Sequence, residues 1–197
     1  MVRVNRARKQ DMPVIKVTLI EGYDAETITS LSRRMTDAVR ATIAAPPDGI
    51  TVVVEEVSPT NYMRGGRSRT PGAPIPGAAA VVQDYLAAME ERDVGRAKGH
   101  LHEDFTMTFP SGRTMFSLEE LFEWSKTRYS QVGKTFEGFD EAFDGNKAIV
   151  CCRGTLHGAW VDGTPFEGIR FIDRFELIAG RIVRQEVWND LSEHRPS

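Results

Sequence analysis

The sequence predicts an α+β protein in two pieces: a short N-terminal β-α-β unit and a larger C-terminal α+β cone, a curved antiparallel sheet over three helices. Three observations carry this. A strand pattern, a helix pattern and a second strand pattern fill residues 14–57. A proline- and glycine-rich run, Gly65 to Gly77, then interrupts every periodicity, because neither residue type continues a helix or a central strand. After it come helical stripes first and strand-turn repeats second, the order of an α+β domain. The expected division is a leader or over-extended start at 1–12, a first domain at 13–66, a linker at 67–77 and a second domain at 78–193.

In the first unit, Val14, Val17, Leu19 and Ile20 mark a strand that begins at Pro13. Asp24 is a good helix N-cap, and Ile28, Leu31, Met35, Val39 and Ile43 then recur on one helical face. Pro46 to Gly49 stops that helix, and the β-branched run from Ile50 to Val57 is a second strand, parallel to the first. Asn61 to Arg67 suggests a short hairpin. About 55 structured residues make a marginal core, so this unit should lean on partner subunits or on the second unit.

In the second unit, Val82, Tyr85, Leu86 and Met89 form an apolar helical stripe, and a second helix is expected over 94–101. Phe105 to Phe109 reads as a strand closed by Pro110-Ser111-Gly112, and Ser117 with Glu120 is a capping box opening a third helix. Strands follow at 136–143, 147–158, 166–178 and 181–189, with turns at Asp144-Gly145-Asn146, Asp162-Gly163-Thr164 and Ala179-Gly180. Such a sheet over helices encloses an apolar pocket, a natural small-molecule site.

Composition excludes several function classes. A net charge of −3 offers no basic stripe for nucleic acid. No apolar run approaches the roughly 20 residues a membrane span needs. The basic start lacks the apolar stretch of a secretory signal, and adjacent Cys151 and Cys152 point to opposite strand faces, so reduced thiols and a cytoplasmic location are expected. His100, His102 and Glu103 lack a third convincing ligand, so no metal and no cofactor is expected.

The first unit resembles the 4-oxalocrotonate tautomerase family from Pro13 to about Gly66: in the stretch Pro13 to Gly22, in the amphipathic helix and β-branched strand, and in Asn61 to Gly66. The resemblance implies that Pro13 is an amino-terminal catalytic base. A secondary amine has a usable lone pair only when it is not acylated. Pro13 therefore needs a chain starting at Met12 with the methionine removed; from the local residues alone it merely begins an edge strand. Family members that isomerise dicarboxylates carry arginines where this chain has Tyr23 and Thr51, so the parent substrate is not expected. Tyr62 matches the pocket-wall aromatic, and Arg64 is the candidate substitute cation, with Tyr23 as a further substrate contact.

The second unit resembles the ketosteroid isomerase and SnoaL-like polyketide cyclase group of the nuclear-transport-factor-2-like fold, over roughly 79–191. The resemblance rests on Val82 to Leu86, Asp93, His102 to Phe105 leading to Pro110-Ser111-Gly112, Gly154 to Gly158, and Phe171 to Asp173 followed by Gly180 to Val183. It implies Tyr85 and Asp173 as catalytic groups, with His157 as the acid/base partner of Asp173 and Phe109 among the substrate contacts; on its residue type Trp188 reads equally as core or as pocket wall. Phe109 replaces the carboxylate base of steroid isomerisation, a mechanism that also needs a tyrosine and a protonated aspartic acid. Leu156 intervenes between Thr155 and His157, which turns His157 toward the other strand face. On residues alone, Asp173 equally reads as the ion-pair partner of Arg170 or Arg153.

The functional expectation is an enzyme of the isomerase class, a tautomerase of a small enolisable carbonyl compound. The alternatives are cyclase, isomerase or hydratase chemistry in the second pocket, with the first unit as an oligomerisation module, or a non-catalytic ligand-binding protein. Both resemblances imply a homo-oligomer.

Overall fold

The computed structural model describes residues 13–194, so the expected leader and Met12 lie outside the described residues. The chain divides into two compact units, with the boundary between Pro74 and Ile75.

In the first unit, strand β1 (Val14–Ile20) pairs in parallel with β2 (Thr51–Val57), Val14 opposite Thr51 and Ile20 opposite Val57. Helix α1 (Ala25–Arg40) connects them and starts where expected: the Asp24 carboxylate accepts the Thr27 N–H at 2.7 Å. The expected stripe runs one residue group too far, because the helix ends at Arg40 and leaves Ile43 52% exposed beyond it. A two-residue hairpin, β3 (Met63–Arg64) with β4 (Arg67–Ser68), turns at Gly65 and Gly66, whose φ values of +60° and +69° demand glycine. Among the described residues of this unit no side chain is fully buried.

The second unit is built differently. Helices α2 (Ala78–Glu90), α3 (Val94–Gly99) and α4 (Leu118–Ser125) accompany a six-stranded sheet. Its strands are β5 (Leu101–Phe109), β6 (Arg113–Met115), β7 (Tyr129–Asp144), β8 (Lys147–Trp160), β9 (Pro165–Ile178) and β10 (Arg181–Asn189). They lie in the order β6-β5-β10-β9-β8-β7, and only β5 and β10 run parallel. Val82, Tyr85 and Ala88 of α2 share one core with Phe105, Val150, Cys152, Phe171, Phe175 and Ile182.

Several boundaries differ from the expectation. The second helix stops at Gly99, so His102 and Glu103 sit on β5 and not at a helix end. Strand β7 begins at Tyr129, seven residues early, through polar Ser130 to Thr135. As an edge strand it pairs on one side only, with bulges near Tyr129 and Phe136, so its sequence carries no clean alternation.

Candidate functional site

Alternation along β8, β9 and β10 decides which side chains reach the core of the second unit. Cys152, Leu156, Phe171, Asp173, Phe175, Gln185 and Val187 point inward and are buried. Asp173 is the exception in kind, a carboxylate with no exposed surface. One oxygen, Oδ2, accepts from the Lys134 ammonium and, at 3.4 Å, from the Gln185 amide. Gln185 in turn accepts the Tyr85 hydroxyl at 3.1 Å. The other oxygen, Oδ1, is buried without a hydrogen-bond partner among the described residues. The expected pair Tyr85 and Asp173 is therefore brought together, bridged by Gln185.

Lys134 also stands 4.5 Å from the Phe171 ring centre, its charge over the π face. Burial, with the Asp173 charge adding, raises the Tyr85 phenol well above its usual range. The same two causes push the Cys152 thiol up to about 12, so this cysteine is an inert core group, not a nucleophile.

Other expected members separate. Asp173 does not pair with Arg170 or Arg153, which instead meet Asp190 at 2.8 Å and Asp140 at 2.5 Å. His157 is exposed on the face of β8 opposite buried Leu156, its Nδ1 3.5 Å from the Thr135 hydroxyl. Trp188 is 51% exposed beside buried Val187 and opposite exposed Ile172. Neither lines the interior with Asp173, because strand parity turns both to the outer face. Phe109 stays at the core margin and stacks on Trp124, ring centres 4.8 Å apart.

In the first unit, Pro13 is half-buried at the head of β1, and its carbonyl accepts the Thr51 N–H at 3.0 Å. Position 51 is thus a direct neighbour of the proline, which makes its threonine a meaningful replacement for an arginine. Tyr23 and Tyr62 are half-buried, whereas Arg64 is exposed on the hairpin.

The carboxylates of Glu103 and Asp104 and the ring of His102 come within 4.8 Å of one another. However, His102 Nδ1 already accepts the Asp104 N–H at 3.2 Å, and both acids are exposed.

Sequence reasoning missed Lys134 and Gln185. Gln185 sits in register with Phe175 across the β9–β10 pair and shares the inward parity of Val187, but a bulge between Ile182 and Arg184 breaks the alternation, so a count started at Ile182 turns it outward. Lys134 lies in the unrecognised start of β7.

Residues 13–70 match the family model described as Tautomerase enzyme, and residues 82–185 match that described as SnoaL-like domain. A Staphylococcus aureus protein named “Probable tautomerase” is 41% identical over 51 residues, 26% of this chain and 84% of that one. A Bacillus cereus protein of the same name is 38% identical over 56 residues, 28% of this chain and 92% of that one. The crystal structure of TerC co-crystallised with polyporic acid superposes with a TM-score of 0.51 at 17% identity, covering 59% of this chain and 94% of that one. That likeness shows the fold of the second unit.

Proposed function

Because the chain belongs to the tautomerase family through its first unit and to the SnoaL-like family through its second, we propose that it tautomerises a small enolisable carbonyl compound, with Pro13 as the base. The observation that carries the reading is the position of Pro13: it heads β1, half-buried, with its carbonyl tied to Thr51. Freed by removal of Met12, its secondary amine would be an α-amino group, a class that titrates near neutrality. Such an amine takes the enol hydroxyl proton, and the resulting ammonium returns a proton to carbon, giving the keto form. The test is mass spectrometry of the native amino terminus together with ketonisation of phenylpyruvate enol and 2-hydroxymuconate. A native protein that keeps residues 1–11 sinks proline catalysis, and Pro13→Ala should lower turnover at least a hundredfold.

A second reading rests on the orphan oxygen of Asp173. A buried carboxylate with one oxygen held and the other free is equipped to accept a proton, which suits cyclase, isomerase or hydratase chemistry. Under that reading Asp173→Asn abolishes turnover and Pro13→Ala leaves it intact, and the first unit serves assembly. Under either reading we propose a homo-oligomer. A lone two-stranded parallel sheet with no fully buried side chain leaves both faces and both edges short of cover. Light scattering should report more than one chain per particle, and a clean monomer would contradict this. No described helix is long and apolar enough to cross a membrane, and a cytoplasmic location is part of the proposal.

A further inference from the structure

Most guanidinium groups of the second unit with a side-chain partner meet a carboxylate: Arg96, Arg153, Arg170 and Arg174 all do. Arg113 and Arg128 do not. Instead both gather on one indole, with the Arg128 guanidinium carbon 4.5 Å and that of Arg113 6.0 Å from the Trp124 ring centre. Neither forms an ion pair among the described residues. Trp124 is half-buried, packs against the core and has the Phe109 ring against it at 54°. Two cations and two aromatic rings thus converge where β5, β6 and the end of α4 meet.

The turn that joins β5 to β6 is tight. Between Phe109 and Arg113, which pair across β5 and β6, Ser111 and Gly112 both adopt the left-handed region, with φ of 74° and 76°. A serine in that region is an uncommon, strained choice, and such choices cluster at ligand sites. On the other side, Arg128 directly precedes Tyr129, which packs against the same core. Burial raises the Tyr129 phenol, while the Arg128 charge lowers it and the Asp173 charge raises it.

We propose that Arg113 and Arg128 form a carboxylate-binding site whose ligand lays a planar, conjugated or aromatic body against Trp124 and Phe109. A guanidinium fork matches a carboxylate in two parallel hydrogen bonds, and two unpaired forks beside aromatic rings select an aryl or conjugated acid over a neutral compound. The site goes beyond the tautomerase reading and is independent of Pro13. It also provides, in the second unit, the kind of anion clamp that Tyr23 and Thr51 deny the first.

The probe is trans-cinnamate, which cannot enolise, so turnover does not confuse the measurement. Calorimetry and tryptophan fluorescence on the full chain should show binding, with cinnamamide at least tenfold weaker. Arg113→Gln and Arg128→Gln should each weaken cinnamate at least tenfold, Arg128→Lys should not restore it, and Arg92→Gln and Pro13→Ala should leave it unchanged. The site is overturned if cinnamate fails to bind, if cinnamamide binds equally well, or if the two glutamine variants bind like wild type. Inorganic phosphate binding as tightly as cinnamate, and lost in the same variants, would overturn the aryl-carboxylate assignment. The comparison of acid with amide uses unaltered protein, so equal binding of the two overturns the site even if a variant misfolds. Loss of activity in Pro13→Ala with cinnamate binding retained separates the two proposals.

Discussion

Replacing Lys134 by Met should destabilise the second unit by about 3 kcal/mol, because it strands Asp173. The aspartate has no exposed surface, its Oδ1 has no partner, and its Oδ2 would keep only the 3.4 Å contact from Gln185. Breaking a buried ion pair by removing one partner costs about 3–5 kcal/mol. The Lys134 side chain is 23% exposed, so water already shares its charge and the lower end applies. Three kcal/mol is about a 150-fold change in the folding equilibrium. With a urea dependence of about 1.5 kcal/mol per molar, the unfolding midpoint should fall by about 2 M. Tryptophan fluorescence reads this unit alone, since the chain's 3 tryptophans, Trp124, Trp160 and Trp188, all lie in it. Asp173→Asn should cost less, about 1–2 kcal/mol, because the freed ammonium can turn to solvent. The double variant should fall short of the sum by about 2 kcal/mol, the sign of direct coupling. A midpoint shift below about 0.5 M in Lys134→Met, with additive effects in the double variant, would refute the buried pair.

Four further outcomes are expected. Gly154→Ala should cost about 3 kcal/mol by the same fluorescence assay, since a Cβ there would sit 1.9 Å from the Thr135 carbonyl of the neighbouring strand. Gly145→Ala, with open space but a φ of +60°, should cost only about 1 kcal/mol. Burial raises Glu176, but hydrogen bonds from Lys147 at 2.9 Å and Arg174 at 2.8 Å outweigh it and hold the acid below its ordinary 4.5. Its stabilisation is therefore complete above that pH and is lost as pH falls through the depressed value. Glu176→Gln should be less stable at neutral pH and lose less on acidification, measured by urea midpoints from pH 7 down to pH 3. Asp24→Ala should weaken the start of α1 by about 1 kcal/mol, seen as faster amide exchange at Thr27.

Local rules made much of the fold readable. Asp24 caps α1, and Ser117 accepts the Glu120 N–H at 3.2 Å while Glu120 reaches back to the Phe116 N–H. The intervening Leu156 predicts an outward His157, and parity along β8 bears that out. Where one element depends on another, legibility fails. The polar start of β7 is a strand only because β8 offers it a partner, as in Val132 opposite Gly158 and Lys134 opposite Leu156. That failure hides Lys134, 39 residues from the Asp173 it neutralises. Tyr85 and Gln185 are likewise 100 residues apart, a pairing that no local periodicity encodes. Trp188 shows the converse: a large aromatic suggests a pocket wall, and its neighbour Val187 takes the inward place instead.

The two units obtain their order from different sources, and this decides how variants should be interpreted. The second unit closes its own core around Tyr85, Phe175 and Ile182, all essentially without exposed surface. The first leaves Val14 58% exposed and holds its helix stripe, Ile28, Leu31, Met35 and Val39, only half-buried. Under the proposed assembly, folding of such a unit is coupled to association, so its stability depends on protein concentration, whereas that of a self-contained core does not. Activity from Pro13 should accordingly fade on dilution while tryptophan fluorescence stays native. Chemistry at Asp173 should survive the same dilution, because all its partners, Lys134, Gln185 and Tyr85, come from within one unit. Dilution thus separates the two catalytic readings without altering a single residue.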